Sequence, residues 1–348
     1  MQGRSFSPLD QQLELRDKHY SEGVLREMVW VSGVVGSYEK AEATLKRVGH
    51  LSISDSNVWR RVQEWGEKFK EVEDARRERA NALPGRNDTY REASKAAERM
   101  GVSMDGGKVH VRDEGWKELK VGCVFEIDVR PTWDKETKEW VELAHAIDNS
   151  YVAHLGGPEL FGQLVWAEAQ ARGWEQAVDT QVVGDGAPWI RNLADEHFYD
   201  NRQVVDWYHA TEHLALAAKL LHGEGSAAAK RWYKRAKTTL YQGHPEWIVL
   251  QLTEAAGNHP EVGDDLLTQA GYFNKNKRRM RYLEMREGEY VIGSGMVASG
   301  CKQFKARFCG PGMRWSREGI ERLIPIRATI MSDQFDTMWQ EVYYSPPN

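Results

Sequence analysis

Cysteine is scarce in this sequence. Three cysteines, Cys123, Cys301 and Cys309, are spread over 348 residues, and such an odd, dispersed set offers neither a disulfide framework nor the paired spacing of a zinc ribbon. Long apolar runs are missing as well. No stretch approaches the roughly 18 to 20 apolar residues that span a bilayer, and the first residues lack the apolar core of a signal peptide. We therefore expect reduced thiols, no membrane partner and a cytoplasmic protein.

An overall positive charge is also absent, because the net charge is −5. The basic residues are nevertheless concentrated: thirteen of them, against five acidic residues, lie between positions 275 and 327. A solvated helical face would account for such a run. Phe304, Phe308 and Trp315 interleave with the cations, however, and this combination favours a polyanion such as nucleic acid.

Residues 20–82 show the helical spacing of apolar positions. Ser37 is placed to cap one helix, Gly49 interrupts it, and Ser54 or Asp55 can cap a second helix. Two helices around a glycine turn predict either an ordinary helical hairpin or a DNA-binding helix-turn-helix. In the second case the start of the second helix enters the major groove. The residues that would then face DNA are Ser54, Ser56, Asn57, Arg60 and Arg61.

Residues 101–157 alternate between apolar and polar positions with a period of two, which predicts three antiparallel strands. Their expected spans are 102–111, 119–127 and 140–147. A helix over 158–172, a strand ending at Asp185, another helix and a strand over 203–206 follow. This order predicts an α/β fold with a mixed sheet of ribonuclease H-like type.

Beyond residue 206 the pattern is helical to about Met285, which indicates an all-helical insertion. Residues 290–292 then resemble a strand, and a last helix is expected to begin near Ser299. The predicted units are a helical DNA-binding domain at 1–83, a linker helix at 84–100, the first part of the core at 101–213, the insertion at 214–288, and the rest of the core at 289–348.

Two aspartates, Asp105 and Asp185, stand beside glycines after apolar, strand-like segments. Singly, an Asp-Gly pair at a strand end is most often a turn. Two of them on neighbouring strands are typical of a nuclease-type site, in which two divalent ions roughly 4 Å apart activate a nucleophile and stabilise the leaving oxygen. Carboxylates suit Mg²⁺, and Mn²⁺ could replace it. We therefore predict that both aspartates are catalytic metal ligands.

A second motif, Asp206-Trp207-Tyr208-His209, follows the strand at 203–206. Asp206 and His209 are three residues apart, so both can lie beside Asp185 and orient it or the DNA. The overlapping segment His209-Ala210-Thr211-Glu212-His213 also matches the signature of an inverted zinc peptidase. That alternative has no evident third ligand, and short patterns often match by chance.

Several motifs together resemble a known family. They are Met-Asp-Gly at 104–106, Trp-Lys-Glu-Leu-Lys at 116–120, Ser-Tyr-Val-Ala-His-Leu-Gly at 150–156, Gly-Asp-Gly-Ala-Pro-Trp-Ile at 184–190, Asp-Trp-Tyr-His at 206–209, and the segments 292–295 and 312–316. The chain resembles the DDE-type insertion-sequence transposases of the ISKra and ISLre kind, which are related to the Mutator-like elements. The resemblance implies a ribonuclease H-like core with a helical insertion, magnesium dependence, and DNA strand cleavage and transfer at element ends.

The sequence departs from this family at one position. Relatives resemble Gly-Ser-Gly-x-Val-Glu-Ser-Gly in the last motif, whereas Ala298 stands here at the glutamate position. The resemblance makes that glutamate the third metal ligand, so we expect severely impaired chemistry with DNA binding retained. Either the alanine was introduced into an active transposase, or the chain is a domesticated, non-catalytic DNA-binding protein.

The resemblance also implies the partners. These are double-stranded DNA, comprising the terminal inverted repeats of an element and its target, and at least one further copy of the chain, because paired ends need two. The basic segment near the C-terminus is expected to contact the DNA through Lys302, Lys305, Arg307, Arg314, Trp315 and Arg317.

Overall fold

A computed structural model describes residue 17, residues 19–82 and residues 97–344. Within this part of the chain, five strands form one mixed sheet in the order β3-β2-β1-β4-β5. Strands β1 to β3 are antiparallel, whereas β4 runs parallel to β1 and β5 parallel to β4. The strands are β1 (Arg99–Val111), β2 (Gly115–Asp134), β3 (Glu139–Leu155), β4 (Asp179–Gly184) and β5 (Arg202–Val205). The predicted α/β class with a mixed sheet is confirmed.

Helices cover both faces of the sheet. Helix α4 (Pro158–Ala171) and helix α5 (Pro188–His197) pack on one face, where Phe161 and Leu193 join Val102 and Met104 in a buried cluster. The opposite face belongs to a larger cluster. That cluster includes helix α11 (Gly295–Phe308), which lies across β1 and β2, and helix α12 (Arg317–Met331), which packs on β3.

The described chain between β5 and α11 contains helices and no strand, as its helical pattern predicts, and its role as an insertion stays a prediction. Its elements are α6 (Trp207–His222), α7 (Ala227–Tyr241), α8 (Pro245–Asn258), α9 (Gly263–Asn276) and α10 (Tyr282–Glu287). Ser226 caps α7 through a hydrogen bond from the Ala229 N–H, as its position before an alanine run favours. Helix α6 ends before Gly223, and α8 begins after His244 and ends before His259.

The hairpin formed by β2 and β3 is longer than the sequence predicted. The two strands extend beyond the part of β2 that pairs with β1, and they stay paired with each other as far as Asp134 and Glu139. A turn at 135–138 joins them. Asp134 is buried there because the Tyr241 hydroxyl of α7 donates to its carboxylate at 2.6 Å. The hairpin tip is therefore fastened to the helical insertion, a long-range contact that strand periodicity does not encode.

The N-terminal helices are α1 (Glu22–Val34), α2 (Tyr38–Val48) and α3 (Asp55–Asn81). Helices α1 and α3 pack against α12, and α3 also packs against the last helix, α13 (Phe335–Tyr344). Trp65 of α3 stacks on Tyr343 with ring centroids 5.4 Å apart. Gly66 is needed at its position, because a Cβ there would lie 2.5 Å from the Arg322 carbonyl oxygen. The first and last helices thus share one hydrophobic core.

Two local predictions are corrected. Residues 290–292 are not a strand, because Val291 bonds to the Gln181 side chain, which donates to its carbonyl and accepts from its N–H at 2.9 Å. The last motif is helical earlier than expected, since α11 begins at Gly295 and not near Ser299. Residues 84–96 of the linker helix predicted at 84–100 lie outside the described residues, and residues 99 and 100 belong to β1. Among the described helices, none combines the length and apolar character of a transmembrane segment.

Candidate active site

The sheet register brings Asp105 and Asp185 to neighbouring positions. Ser103 of β1 pairs with Val183 of β4, and the Ser103 hydroxyl donates to the Val183 carbonyl oxygen at 3.0 Å. Extending this parallel register by two residues aligns Asp105 with Asp185, which directly follows β4. Adjacent strands lie about 4.8 Å apart. The register therefore places the two predicted ligands at neighbouring backbone positions, at the carboxyl end of β4, although Asp105 lies within β1 and not at its end.

Local backbone bonds set the direction of both carboxylates. Asp105 Oδ1 accepts from the Gly106 N–H at 2.6 Å, and Asp185 Oδ1 accepts from the Ala187 N–H at 2.7 Å. Gly186 has a φ of +90°, which favours glycine at this turn. Since each bond uses one carboxylate oxygen, the second oxygen of each aspartate can face a ligand.

Helix α9 of the insertion holds the Asp185 turn from outside. The Tyr272 hydroxyl donates to the Asp185 carbonyl oxygen at 3.0 Å. Asn276 lies against Gly186, where a Cβ would be 3.1 Å from its Nδ2 atom. The Tyr272 ring stacks on His213 of α6 at 3.6 Å. Sequence reasoning missed these contacts because nothing in the local pattern of α9 links it to a turn some ninety residues earlier.

Ala298 lies on the helix that covers Asp105. Cys301, one turn further along α11, is near enough that the Asp105 carboxylate adds to burial in raising the pKa of the thiol to about 12. Lys305, another turn on, passes over Gly107, where a Cβ would meet its Cε at 2.5 Å. Positions 298, 301 and 305 share one face of a helix. The alanine therefore lies on the face that looks towards β1.

Asp206 links the site to the start of α11. It caps α6, and its Oδ1 accepts from the Ser294 N–H at 2.9 Å. Its own N–H donates to the Gly184 carbonyl at 2.7 Å. His209 Nδ1 lies 2.9 Å from Oδ2. Asp206 thus contacts His209 and connects β4, α6 and the residue before α11, whereas the predicted role of both side chains in orienting Asp185 or DNA stays a prediction.

The pKa shifts of Asp206 and His209 favour the charged form of both side chains. Burial opposes ionisation of Asp206, but hydrogen bonds from His209 and from the N–H groups of Ser294 and His209 lower its pKa overall. The hydrogen bond to Asp206 raises the pKa of His209 to about 9 against the effect of partial burial, and the charge of Asp185 contributes. At neutral pH a half-buried imidazolium therefore lies close to Asp185.

The zinc-peptidase alternative gains no support from the geometry. His209 Nδ1 is engaged by Asp206, and His213 Nδ1 lies 2.7 Å from Gln269 Oε1. Glu212 is exposed. Across residues 19–82 and 97–344, no three His, Cys, Asp or Glu side chains converge in a metal-binding arrangement. This finding applies equally to the two aspartates, whose expected third partner is replaced by the methyl group of Ala298.

A buried lysine joins two motifs whose roles the sequence left open. Lys120 of β2 is 2% exposed, and its Nζ lies 2.8 Å from Glu118 Oε2 and 4.2 Å from the ring centre of Trp189. Trp189 follows Asp185 on α5, and Lys120 pairs with Gly106, which follows Asp105. The contact between Lys120 and Trp189 therefore connects the segment that follows Asp105 with the segment that follows Asp185.

The predicted DNA-facing residues at the start of α3 are largely engaged with one another. The hydroxyls of Ser54 and Ser56 are 3.2 Å apart, and Arg60 donates to Asn57 at 3.0 Å. Arg61 forms an ion pair with Asp17 at 2.5 Å. All but Arg61 and Asn57 are exposed, so this surface is accessible, and its role as a DNA reader stays a prediction.

Part of the predicted basic C-terminal surface is corrected. Arg307 is only 1% exposed, because it lies on the buried face of α11 and donates its Nε–H to the Ser32 carbonyl. Trp315 donates to the Phe308 carbonyl and packs edge-on against Tyr38. Arg317 is paired with Glu114 at 2.6 Å. Arg307 is therefore not available to DNA in this conformation. Trp315 and Arg317 are partly exposed, and their contact with DNA stays a prediction.

The remaining predicted contacts, Lys302, Lys305 and Arg314, are exposed. The first two extend from the helix that bears Ala298, so a positive surface borders the two aspartates. Comparisons with known proteins add no identity to this geometry, since no protein-family model matches the sequence and no curated protein is significantly similar to it.

Proposed function

We propose that this chain is a DNA-binding protein of the DDE transposase type, with a ribonuclease H-like core whose metal centre is incomplete. The observation that carries the proposal is the alignment of Asp105 and Asp185 on adjacent parallel strands under the helix that bears Ala298. The strand order, with three antiparallel strands followed by two parallel ones, supports the same core. The helical segment between β5 and α11 corresponds to the proposed insertion.

The residues present fit a two-magnesium site only in part. Asp105 and Asp185 provide two hard oxygen ligands, but a two-ion site for phosphoryl transfer needs carboxylates from a further element to hold its second ion. We therefore derive no cleavage step for the chain as it stands. What its own residues can do is bind DNA through the exposed cations near α11 and orient Asp185 through Asp206, His209 and Tyr272.

The proposal is tested by the substitution Ala298→Glu. A carboxylate on the face that already carries Cys301 would reach the Asp105 side and complete the donor set. With Mg²⁺ or Mn²⁺, we expect this variant to nick or join DNA at least about 100-fold faster than the unmodified chain, given what a misplaced reacting group costs. Cleavage of labelled duplexes that carry the ends flanking the coding sequence is the measurement.

Two controls sharpen this test. In Ala298→Gln, the glutamine has nearly the same shape as the glutamate but no charge, so this variant should stay inactive. Adding Asp185→Asn to the glutamate variant should abolish the gained activity. If the glutamate variant binds DNA tightly but shows no metal-dependent cleavage with either ion, the proposed reaction is wrong.

The alanine itself supports a second candidate, a domesticated DNA-binding regulator that has no strand-transfer activity. The two candidates differ in genomic context. Flanking inverted repeats, and near copies with glutamate at position 298, would indicate a mobile element; a single copy without repeats would indicate a host gene. In both cases DNA binding should weaken steeply as the salt concentration rises.

A further inference from the structure

Tyr208 presents an exposed aromatic ring at the edge of the candidate site. Its neighbour Trp207 is buried at 6% exposure, whereas Tyr208 is 63% exposed. Asp206 and His209, the residues that flank this pair, belong to the ion pair beside Asp185. The Tyr208 ring belongs to neither buried hydrophobic cluster of the described residues.

The ring position is fixed by the segment that leads to Ala298. Tyr208 lies on Gly293, where a Cβ would be 3.1 Å from its Cε2 atom, so a larger residue at 293 would push the ring away. Gly293 directly precedes Ser294, which is bonded to Asp206. The ring is therefore held where the carboxyl end of β4, the start of α6 and the start of α11 come together.

The backbone of Tyr208 is held independently of its ring. Its N–H donates to Asp206 Oδ1 at 3.3 Å, and its carbonyl oxygen accepts from the Thr211 hydroxyl at 2.9 Å. Neither bond uses the aromatic side chain. The ring can thus be removed without loss of the cap on α6, which makes the residue suitable for substitution.

We propose that Tyr208 is a stacking platform for one unpaired base of the DNA strand that enters the site at Asp105, Asp185 and Ala298. This inference rests on the proposed function. Tyr208 lies between Asp206 and His209 in the sequence, and their ion pair lies beside Asp185, so we expect a strand with a phosphate near the two aspartates to reach the ring. Every nucleobase offers a flat face to an aromatic ring regardless of sequence. Strand processing at a duplex end requires local unpairing, which leaves a base free to stack.

The helix that follows Gly293 and Ser294 carries two exposed cations. Lys302 and Lys305 extend from α11, which begins one residue after Ser294. Cations that follow the phosphates, combined with a ring that takes a base, form the usual arrangement of single-strand sites. Tyr208 would thus contribute affinity for unpaired ends and little for intact duplex.

The test compares Tyr208→Ala, Tyr208→Leu and Tyr208→Phe with the unmodified chain. The probe is a duplex with a short single-stranded tail in which each tail base in turn is 2-aminopurine, whose fluorescence falls when it stacks. We expect quenching with the unmodified chain and with phenylalanine. With alanine or leucine, quenching should be lost and affinity for the tailed duplex should fall roughly tenfold, while affinity for a fully paired duplex should stay unchanged.

Tyr199→Ala is the matched control. Tyr199 is 81% exposed, but it precedes the amino end of β5, whereas the candidate site lies at the carboxyl ends of the parallel strands. Its loss should change neither quenching nor affinity. If both Tyr208→Ala and Tyr208→Leu quench and bind like the unmodified chain, this inference alone fails. If the unmodified chain binds neither probe, the proposed function fails and this inference fails with it.

Discussion

Asp206 connects more of the site than either predicted metal ligand does. Its carboxylate accepts bonds from Ser294 and His209, and its N–H reaches the strand that ends before Asp185. A buried carboxylate needs such partners, because an unpaired one would be costly. Its 1% exposure shows that it is not placed to bind DNA directly. It acts on the site by fixing the segment that carries Ala298.

The ion pair of Asp206 and His209 predicts a pH dependence. The pKa of His209 is raised from 6.5 to about 9 in the folded chain, so folding favours the protonated ring. Its contribution to stability is complete below pH 6.5 and is lost as the pH rises to about 9. The melting temperature should therefore fall across this window in the unmodified chain.

His209→Gln is the matching variant, because its amide can still donate to Asp206 but does not titrate. We expect a lower melting temperature at pH 6.5 and a flatter profile up to pH 9. Titration of the His209 ring followed by NMR gives the direct check. A midpoint near the ordinary histidine value would contradict the prediction.

At the scale of the element, α9 contributes one hydrogen bond to the Asp185 turn, from the Tyr272 hydroxyl, beside the packing of Asn276 on Gly186. Tyr272→Phe removes the bond to the Asp185 carbonyl but keeps the ring that stacks on His213. We expect a stability loss of about 1 kcal/mol, the usual worth of such a bond. In the Ala298→Glu background, Mn²⁺ affinity should also fall, because Asp185 is less firmly placed. Urea unfolding and Mn²⁺ titration followed by electron paramagnetic resonance measure the two effects.

Tyr290→Phe is the control for that experiment. Tyr290 also donates a hydroxyl bond of 3.0 Å, but to Asp179 at the amino end of β4. A similar loss of stability with unchanged Mn²⁺ affinity would confirm that α9 acts on the site. Equal loss of Mn²⁺ affinity in both variants would mean that α9 merely stabilises the fold.

Elements with a strong periodic pattern were predictable from sequence. Alternation over 101–157 gave three antiparallel strands, and their glycine and charged turns gave the hairpin. Contacts between distant side chains were not predictable. Residues 290–292 have the composition of a strand, yet a glutamine side chain takes the place of a partner strand. Lys120 resembles any surface lysine until Trp189 is brought beside it.

The same limit applies to the basic segment. Charge counting identified a positive stretch, but it could not separate Arg307, which is buried, from Lys302, which is exposed. Helical spacing offered the only signal: position 307 lies with Phe304 and Phe308 on the buried face of α11. Fewer basic side chains of this segment are consequently exposed for a DNA contact than the composition suggested.

For the whole molecule, the important feature is that its first and last helices share one core. Trp65 of α3 is 1% exposed and packs between Trp339 and Tyr343, with centroids 4.8 and 5.4 Å away. Arg307 and Arg327 add bonds from the C-terminal helices to carbonyls of α1. The N-terminal helices, which include the predicted helix-turn-helix, are therefore attached to the core through a buried aromatic cluster.

Trp65→Ala tests this attachment. Removing a buried tryptophan leaves a cavity and costs about 3 to 5 kcal/mol. Because the helices share one core, we expect the loss to appear in a single unfolding transition. Urea unfolding followed by helix content and by tryptophan fluorescence should give coincident curves at a lower midpoint.

Trp59→Ala is the control, since Trp59 lies on the same helix but is 48% exposed and should change stability little. Two separated transitions would show that the N-terminal helices fold as an independent unit, and any DNA reading by α3 would then be mechanically separate from the aspartates.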